Sequence, residues 1–335
     1  MIQVSHLACS QICTIILKQI ISMNAIAYQK FGNTTVLQSA EQSKPTIKSN
    51  QVLVKVKAFS INPMDWKIRK GEMKLMSGSS FPKKTGADFS GIIEDAGTSG
   101  FKKGDQVFGV VKNMMKDGAS SEYIAVPASL VWKKPSQISF PQAASIPVVG
   151  TAALTALEKM GNIDADTEIL INGATGGFGM FLLQLLRQKG PKVTAVTSTK
   201  GTEFAKKWGA RKVIDYSKEN VFSQNILYDI VIDLSGKMGY TAARKIMKPQ
   251  SKFMNPTPRP IEIPTSIFKN LFTGKKHIIV LAGPSTKYSE KLVSEVNQGL
   301  QIEINKIFQF EQTQEAYQYA EKGGFIGKVV VEINS

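Results

Sequence analysis

From Gln51 to Ala58 the chain alternates, with Val52, Val54, Val56 and Ala58 on one face and mainly polar residues on the other. A period of two is the mark of a strand with one buried side. Ser90 to Asp95, Gln106 to Val111 and Tyr123 to Val126 are similar short runs, punctuated by Gly97, Gly100, Gly104 and Gly118. A strand-like Asn24 to Tyr28 comes before them, after Met23. Short strands at this spacing predict a partly closed antiparallel barrel over the first part of the chain.

From about Ser145 the pattern changes. A helix over Thr151 to Lys159 leads into an apolar strand, Glu168 to Ile171, then a turn of small residues and an apolar helix that ends at Gly190-Pro191. The strand Lys192 to Thr197, helix Thr202 to Trp208, and strands Lys212 to Asp215 and Asp229 to Leu234 continue the alternation, and His277 to Ala282 closes it. Strand–helix–strand repetition predicts a parallel, doubly wound sheet, so the fold class is α/β. After Pro284 come a helix (Glu290 to Gln298), a strand (Gln301 to Phe308), a helix (Thr313 to Lys322) and a last Val-rich strand, Gly327 to Ile333. That last strand needs sheet neighbours, and the barrel can supply them. The expected division is an extension over 1–22, a discontinuous barrel domain over 23–144 and 285–335, and a parallel-sheet domain over 145–284.

Two domains also suit 335 residues. With 42 basic and 26 acidic side chains the formal charge is +16. Such a charge attracts a polyanionic cofactor or binds nucleic acid loosely. The lysines are scattered, with no basic helix and no aromatic-interleaved motif, so no specific nucleic-acid partner is expected. The two cysteines, Cys9 and Cys13, form no disulfide framework, which fits a reducing, cytoplasmic setting. With only His6 and His277 besides, a zinc held by Cys and His in the body of the chain is not expected. The apolar run Ile12 to Ile21, broken by Lys18 and Gln19, is too short to span a bilayer and lacks a signal peptide's basic start. Its expected origin is translation from an upstream start, with an amphipathic partner helix as the alternative.

The small-residue turn is Asn172-Gly173-Ala174-Thr175-Gly176-Gly177-Phe178-Gly179. Strand, glycine turn and helix in that order bring a helix N-terminus to a strand's carboxyl end. Free N–H groups and the helix dipole meet there, a setting for a pyrophosphate, and glycine lets the phosphate approach. Thr175, Gly176, Gly177, Phe178 and Gly179 are the candidate contacts; a plain tight turn is the other reading. An NAD site usually carries an acidic residue about 20 residues further on. Here the place reads Thr197-Ser198-Thr199-Lys200, whose hydroxyls and ammonium suit a 2′-phosphate, so NADPH is expected over NADH; the alternative is a solvated polar loop.

Ile61-Asn62-Pro63-Met64-Asp65-Trp66-Lys67, Gly86-Ala87-Asp88-Phe89-Ser90-Gly91, Gly104 to Gly109, Glu122-Tyr123, Ala143 to Pro147, the turn Ala174 to Gly179 and Gly327-Lys328-Val329-Val330 occur in one order from about residue 25 to 333. Together they resemble the zinc-free quinone oxidoreductases of the medium-chain dehydrogenase/reductase superfamily, most of all the chloroplast-envelope type and its bacterial relatives. The resemblance implies a GroES-like barrel beside a Rossmann domain, NADPH in the cleft, hydride transfer to a quinone or an activated enone without metal, and a homodimer paired through an edge strand. It also implies that Tyr216, with Ser198 and Lys200, lies at the 2′-phosphate, and that Leu234 and Lys328 face the cofactor. Zinc-dependent relatives carry a metal-binding Cys where this chain has Asn62. Asn62, Lys67 and Tyr123 are the candidates to meet charge on the substrate oxygen; Asp65, Trp66 and Lys67 read equally well as a cap, a core ring and a solvated amine. The family's threonine before the turn is Ala152 here, with Thr151 beside it. Alternatives are a 2-alkenal or enone carbon–carbon double-bond reductase, and a non-catalytic nucleotide- or nucleic-acid-binding protein on the same fold.

Overall fold

The computed structural model describes residues 22–259, 261–283 and 285–334; residues 1–21, which hold nearly all of the predicted extension and both cysteines, lie outside them. The front of the chain forms eight strands: β1 (Ser22–Tyr28), β2 (Gln38–Ser43), β3 (Gln51–Ser60), β4 (Lys83–Lys84), β5 (Asp88–Asp95), β6 (Gln106–Val110), β7 (Tyr123–Pro127) and β8 (Val131–Lys133). β3, β5, β6 and β8 are neighbours in one antiparallel sheet, β7 pairs with the first half of β3, and β1 sits between β2 and β4. The alternation read from the sequence is realised in β3, where Val52, Val54 and Val56 are fully buried. Only glycine fits at Gly91, because a Cβ there would run into the Lys55 carbonyl of β3.

The second part gives β9 (Glu168–Asn172), β10 (Lys192–Thr197), β11 (Lys212–Asp215), β12 (Tyr228–Asp233), β13 (Met247–Asn255) and β14 (Lys275–Ile279), all parallel, in the order β11-β10-β9-β12-β13-β14. The strand order reverses between β9 and β12. In such sheets the ligand crevice opens outside the carboxyl ends of the strands at that point. The helix Gly177–Arg187 follows β9 and buries Met180, Phe181, Leu182, Leu183, Leu185 and Leu186. The helix Pro147–Met160 begins four residues before the predicted start, since a proline at the first helical position has no N–H to lose. Its Gly150 packs against Leu292 of the helix Thr286–Asn297.

The chain ends with β15 (Ile304–Gln309) and β16 (Lys328–Glu332). β16 pairs in parallel with β15 and antiparallel with Ala58 to Ser60 of β3, so the last strand completes a sheet begun near the first. Several elements have no counterpart in the sequence reading, among them β2, β8, β13 and the helices Pro63–Arg69 and Glu262–Asn270. In β13 the polar run Lys248-Pro249-Gln250 interrupts a strand whose buried apolar residues are Met247 at its start and Phe253 and Met254 near its end.

Candidate functional site

The glycine turn stands at the carboxyl end of β9, at the reversal point. Gly173 takes φ +79°, and the amides of Gly173 and Ala174 both donate to the Val196 carbonyl on β10 at 3.1 Å. This ties the turn to two strands. Gly176 caps the helix Gly177–Arg187 with extended backbone, and the first intrahelical bond runs from Met180 N to Gly176 O at 2.9 Å. The amides of Gly177, Phe178 and Gly179 therefore have no acceptor within the helix. A Cβ on Gly179 would run into the Ala174 carbonyl, and one on Gly177 would overlap the Lys328 stem, so the cradle is closed to side chains. Helix-start donors on glycines where no Cβ fits suit a pyrophosphate.

At the end of β10, Thr197 Oγ1 meets Thr175 Oγ1 at 2.5 Å, fixing the next strand's tip against the turn. Beyond it Ser198 is half-buried, Lys200 is exposed and Tyr216 is 59% exposed. The carboxylate of this corner, Asp215, is turned into its own loop. Thr199 Oγ1 donates to its Oδ2 at 2.5 Å, while Ser217 N and Oγ donate to its Oδ1 at 3.0 and 2.7 Å. The Thr199 and Ser217 hydroxyls hold its carboxyl down at about 2. Leu234 lies half-buried across the reversal point, its N–H on the Asn172 carbonyl at 2.8 Å.

Beneath the turn lies a buried polar cluster at the junction of the two parts. Gly327 N donates to Thr175 O at 2.8 Å, which docks the start of β16 on the turn. The next residue, Lys328, is 3% exposed; its ammonium donates to Asn62 Oδ1 at 2.7 Å and to Ile61 O at 2.9 Å. Asn62, 2% exposed, donates from Nδ2 to Asp88 Oδ2 at 2.9 Å. Asp88 is fully buried and also accepts from Ser60 Oγ at 2.9 Å and, on Oδ1, from Val148 N at 2.9 Å. Asp65 caps the helix Pro63–Arg69 by accepting from Asn62 N at 2.8 Å, and takes a further bond from the Tyr317 hydroxyl at 3.2 Å. Burial raises both carboxyls and lowers the lysine, while the Lys328 charge opposes the rise at Asp88 and at Asp65. The cluster is thus one cation among two carboxyls that burial disfavours as a charged pair.

Next to it runs an apolar crevice lined by Val110 and Trp132 from the barrel, Pro147, Val148 and Thr151 from the following helix, and Ser289 from a third element. Val148 belongs to both, since its amide holds Asp88. Thr151, the neighbour of the family's missing threonine, is therefore on the crevice wall.

The structure brings Asn62, Lys328 and the glycine turn together. Lys67 sits half-buried on the helix that Asn62 opens and is not among the residues hydrogen-bonded in the cluster. Tyr123 lies elsewhere: on β7 opposite Lys55, with the Lys44 ammonium 3.9 Å from its ring centre and Glu94 pairing that lysine at 3.1 Å. Read from the sequence, Asp88 and Thr197 have no site role of their own, although Thr197 opens the polar run Thr197 to Lys200. A strand-opening aspartate inside a matched motif was the one available sign of the first.

Residues 48–136 match the alcohol dehydrogenase GroES-like domain family, and residues 208–331 the zinc-binding dehydrogenase family. The chain is 31% identical over 321 residues to the 2-methylene-furan-3-one reductase of Solanum lycopersicum, covering 92% of this chain and 79% of that one. It is 29% identical over 326 residues to the chloroplastic quinone-oxidoreductase homolog of Spinacia oleracea, covering 92% and 98%. The solved quinone oxidoreductase from Coxiella burnetii superposes with a TM-score of 0.84 at 30% identity, covering 93% of this chain and 100% of that one. Among the described residues no three His, Cys, Asp or Glu side chains converge as a metal site, and no helix is long and apolar enough to cross a membrane.

Proposed function

The chain belongs to the quinone oxidoreductases of the medium-chain dehydrogenase/reductase superfamily, an NAD(P)H-dependent oxidoreductase group, and from that premise we propose that it uses NADPH to reduce a quinone or an activated enone without a metal. One observation carries the reading: the helix that opens at Gly177 begins beside Lys328, whose stem lies against Gly177 and whose ammonium holds Asn62. The turn would hold the pyrophosphate, with Thr175, Leu234 and Lys328 about it, and Ser198, Lys200 and Tyr216 would receive a 2′-phosphate, the Asp215 carboxylate at this corner being taken up by Thr199, Ser217 and Lys218. Bound there, the nicotinamide supplies the hydride.

The chain's own part is to place, dry and polarise. The apolar walls exclude water from the substrate, which strengthens every hydrogen bond made to it. Hydride addition to a quinone or an enone builds negative charge on the carbonyl oxygen, and a donor must meet it. Of the three candidates, Asn62 is best supported, held between Asp88 and Lys328 beside the turn; Lys67 and Tyr123 lack such a setting. A proton from solvent then completes the reduction, one hydride and one proton per product. Position 62, being asparagine, offers no thiolate to zinc, which supports a metal-free step.

The test is loss of reduced-nicotinamide absorbance with a panel of quinones and enones, with NADPH and NADH compared in wild type and Lys200→Ala. Turnover above the uncatalysed rate, insensitivity to a chelator, and a preference for NADPH that Lys200→Ala erodes are expected. Equal NADPH and NADH affinities in wild type would remove the phosphate pocket, and no turnover the enzyme. The tomato relative's name favours an enone for the second arm of the panel. We further propose a homodimer: β14 is an outer strand, and the helix before it exposes Ile267 and Phe268 with Leu271 and Phe272 beyond it. Sedimentation at a single monomer mass would end that reading. A cytoplasmic location is part of the same proposal, tested by fractionation.

A further inference from the structure

We propose that Asp88 is a positioning residue for the reducing site, acting through the carboxamide of Asn62; this rests on the reading that Asn62 meets the substrate oxygen. A carboxamide has two N–H donors and an oxygen with two lone pairs. In Asn62 the oxygen takes the Lys328 ammonium at 2.7 Å, and one N–H goes to Asp88 at 2.9 Å. Among the described residues the second N–H has no hydrogen-bond partner, and it is the donor left for a ligand. Turning the amide over would set its oxygen against a carboxylate and its NH₂ against an ammonium, so the orientation is fixed by two opposite charges.

The same charges polarise the group. A cation at the oxygen and an anion at the nitrogen favour the charge-separated amide resonance form, and hydrogen bonds arranged in series reinforce one another in a low dielectric. The free N–H is then a stronger donor than an unassisted amide would offer. Asp88 is itself held from three sides: Ser60 on Oδ2 with Asn62, and the Val148 amide on Oδ1. Val148 lies in the first turn of Pro147–Met160, where the helix dipole favours a carboxylate. The crevice wall and the amide are therefore set by one side chain. Asp88 itself lines neither the crevice nor the glycine turn, and so acts at one remove.

The experiment is a double-mutant cycle of Asp88→Asn and Asn62→Ala, with kcat and KM read separately. Each single change is expected to lower kcat roughly 10- to 100-fold, the scale of a misplaced catalytic group, with the substrate KM within about threefold. Because Asp88 acts through Asn62, the double variant should be no worse than the poorer single one. Losses that multiply, or an unchanged kcat in Asp88→Asn, overturn the proposal. Ser60→Ala keeps every charge and serves if Asp88→Asn does not fold; a kcat loss of about threefold that disappears in the Asn62→Ala background is expected, and no loss overturns it. A second readout needs no turnover: the Asn62 side-chain NH₂ signals in ¹⁵N spectra of the ligand-free chain should shift and exchange faster with water in Asp88→Asn or Ser60→Ala. Unmoved signals sink the positioning claim, whereas absent turnover in wild type sinks only the functional reading.

Discussion

Alanine at Gly176, Gly177 and Gly179, one at a time, separates three tasks of the turn. At Gly176 the new methyl finds open space, its nearest neighbour the Gly173 carbonyl at 3.8 Å, and the backbone there is extended. The cost is loss of a favourable cap residue, about 0.5–1 kcal/mol. At Gly179 the methyl falls within 3.0 Å of Ala174 backbone atoms, which the bond from Ala174 N to Val196 O at 3.1 Å holds in place. Nothing there can yield cheaply. Overpacking costs about 1–3 kcal/mol, and better helix propensity returns at most about 1 kcal/mol; with rigid backbone as the obstacle the cost falls at the upper end, so a net loss of about 1–2 kcal/mol is expected. At Gly177 the methyl meets the Lys328 stem, which can move only by drawing its ammonium off Asn62 and Ile61. Hydrogen bonds to a charged group are worth about 1.5–3 kcal/mol, so Gly177→Ala should resemble Gly179→Ala in stability. It should differ in that it also perturbs Asn62. Urea denaturation followed by tryptophan emission, with NADPH affinity by fluorescence quenching, checks all three. Gly176→Ala is expected to fold and bind nearly as wild type, and the other two to lose both. Wild-type stability in Gly179→Ala, or a defect in Gly176→Ala equal to the others, would refute the packing argument.

Lys328→Met takes the cation away from two buried carboxyls and should destabilise the fold by about 3–5 kcal/mol in urea titrations; a loss under about 1 kcal/mol would mean the ammonium is not paired as described. His277 is buried beside Tyr240 with no partner on Nε2, and burial holds its pKa below the ordinary 6.5. The folded chain then binds fewer protons at this site than the unfolded one, so this stabilising contribution is whole above about pH 6.5 and is lost as pH falls below it; His277→Gln should flatten the stability profile between pH 5 and 7, and an unchanged slope would exclude the histidine. Thr199→Val removes the strongest influence keeping Asp215 near 2, and a carboxyl ¹³C titration should show its pKa rise; no rise would mean that the Ser217 contacts suffice.

The glycine turn could be read from the sequence because its parts are contiguous, and a strand, a turn and a helix announce themselves by hydrophobic period alone. The buried cluster could not. Asp88 depends on Ser60, Asn62, Val148 and Lys328, which the closing of the barrel assembles from separate segments. Tyr123 shows the same limit: the resemblance offers its hydroxyl as a donor, and only the fold sets the Lys44 ammonium, far off in sequence, over its ring. β13 is not legible in the sequence because a parallel strand flanked by β12 and β14 can carry Lys248, Pro249 and Gln250 near its start, where propensity argues against it.

The pairing of β16 with Ala58 to Ser60 has a bearing on biogenesis. As the polypeptide emerges, that stretch of β3 leaves the ribosome long before its mate is made, and an unsatisfied strand margin invites wrong partners. The parallel-sheet unit, encoded without interruption, can mature meanwhile. Lys328 travels on the late-arriving strand, so the cation under the glycine turn is delivered only when the barrel is sealed. Because Gly327 and Lys328 also buttress the glycine turn, neither the phosphate cradle nor the cluster beneath it is complete until that strand docks.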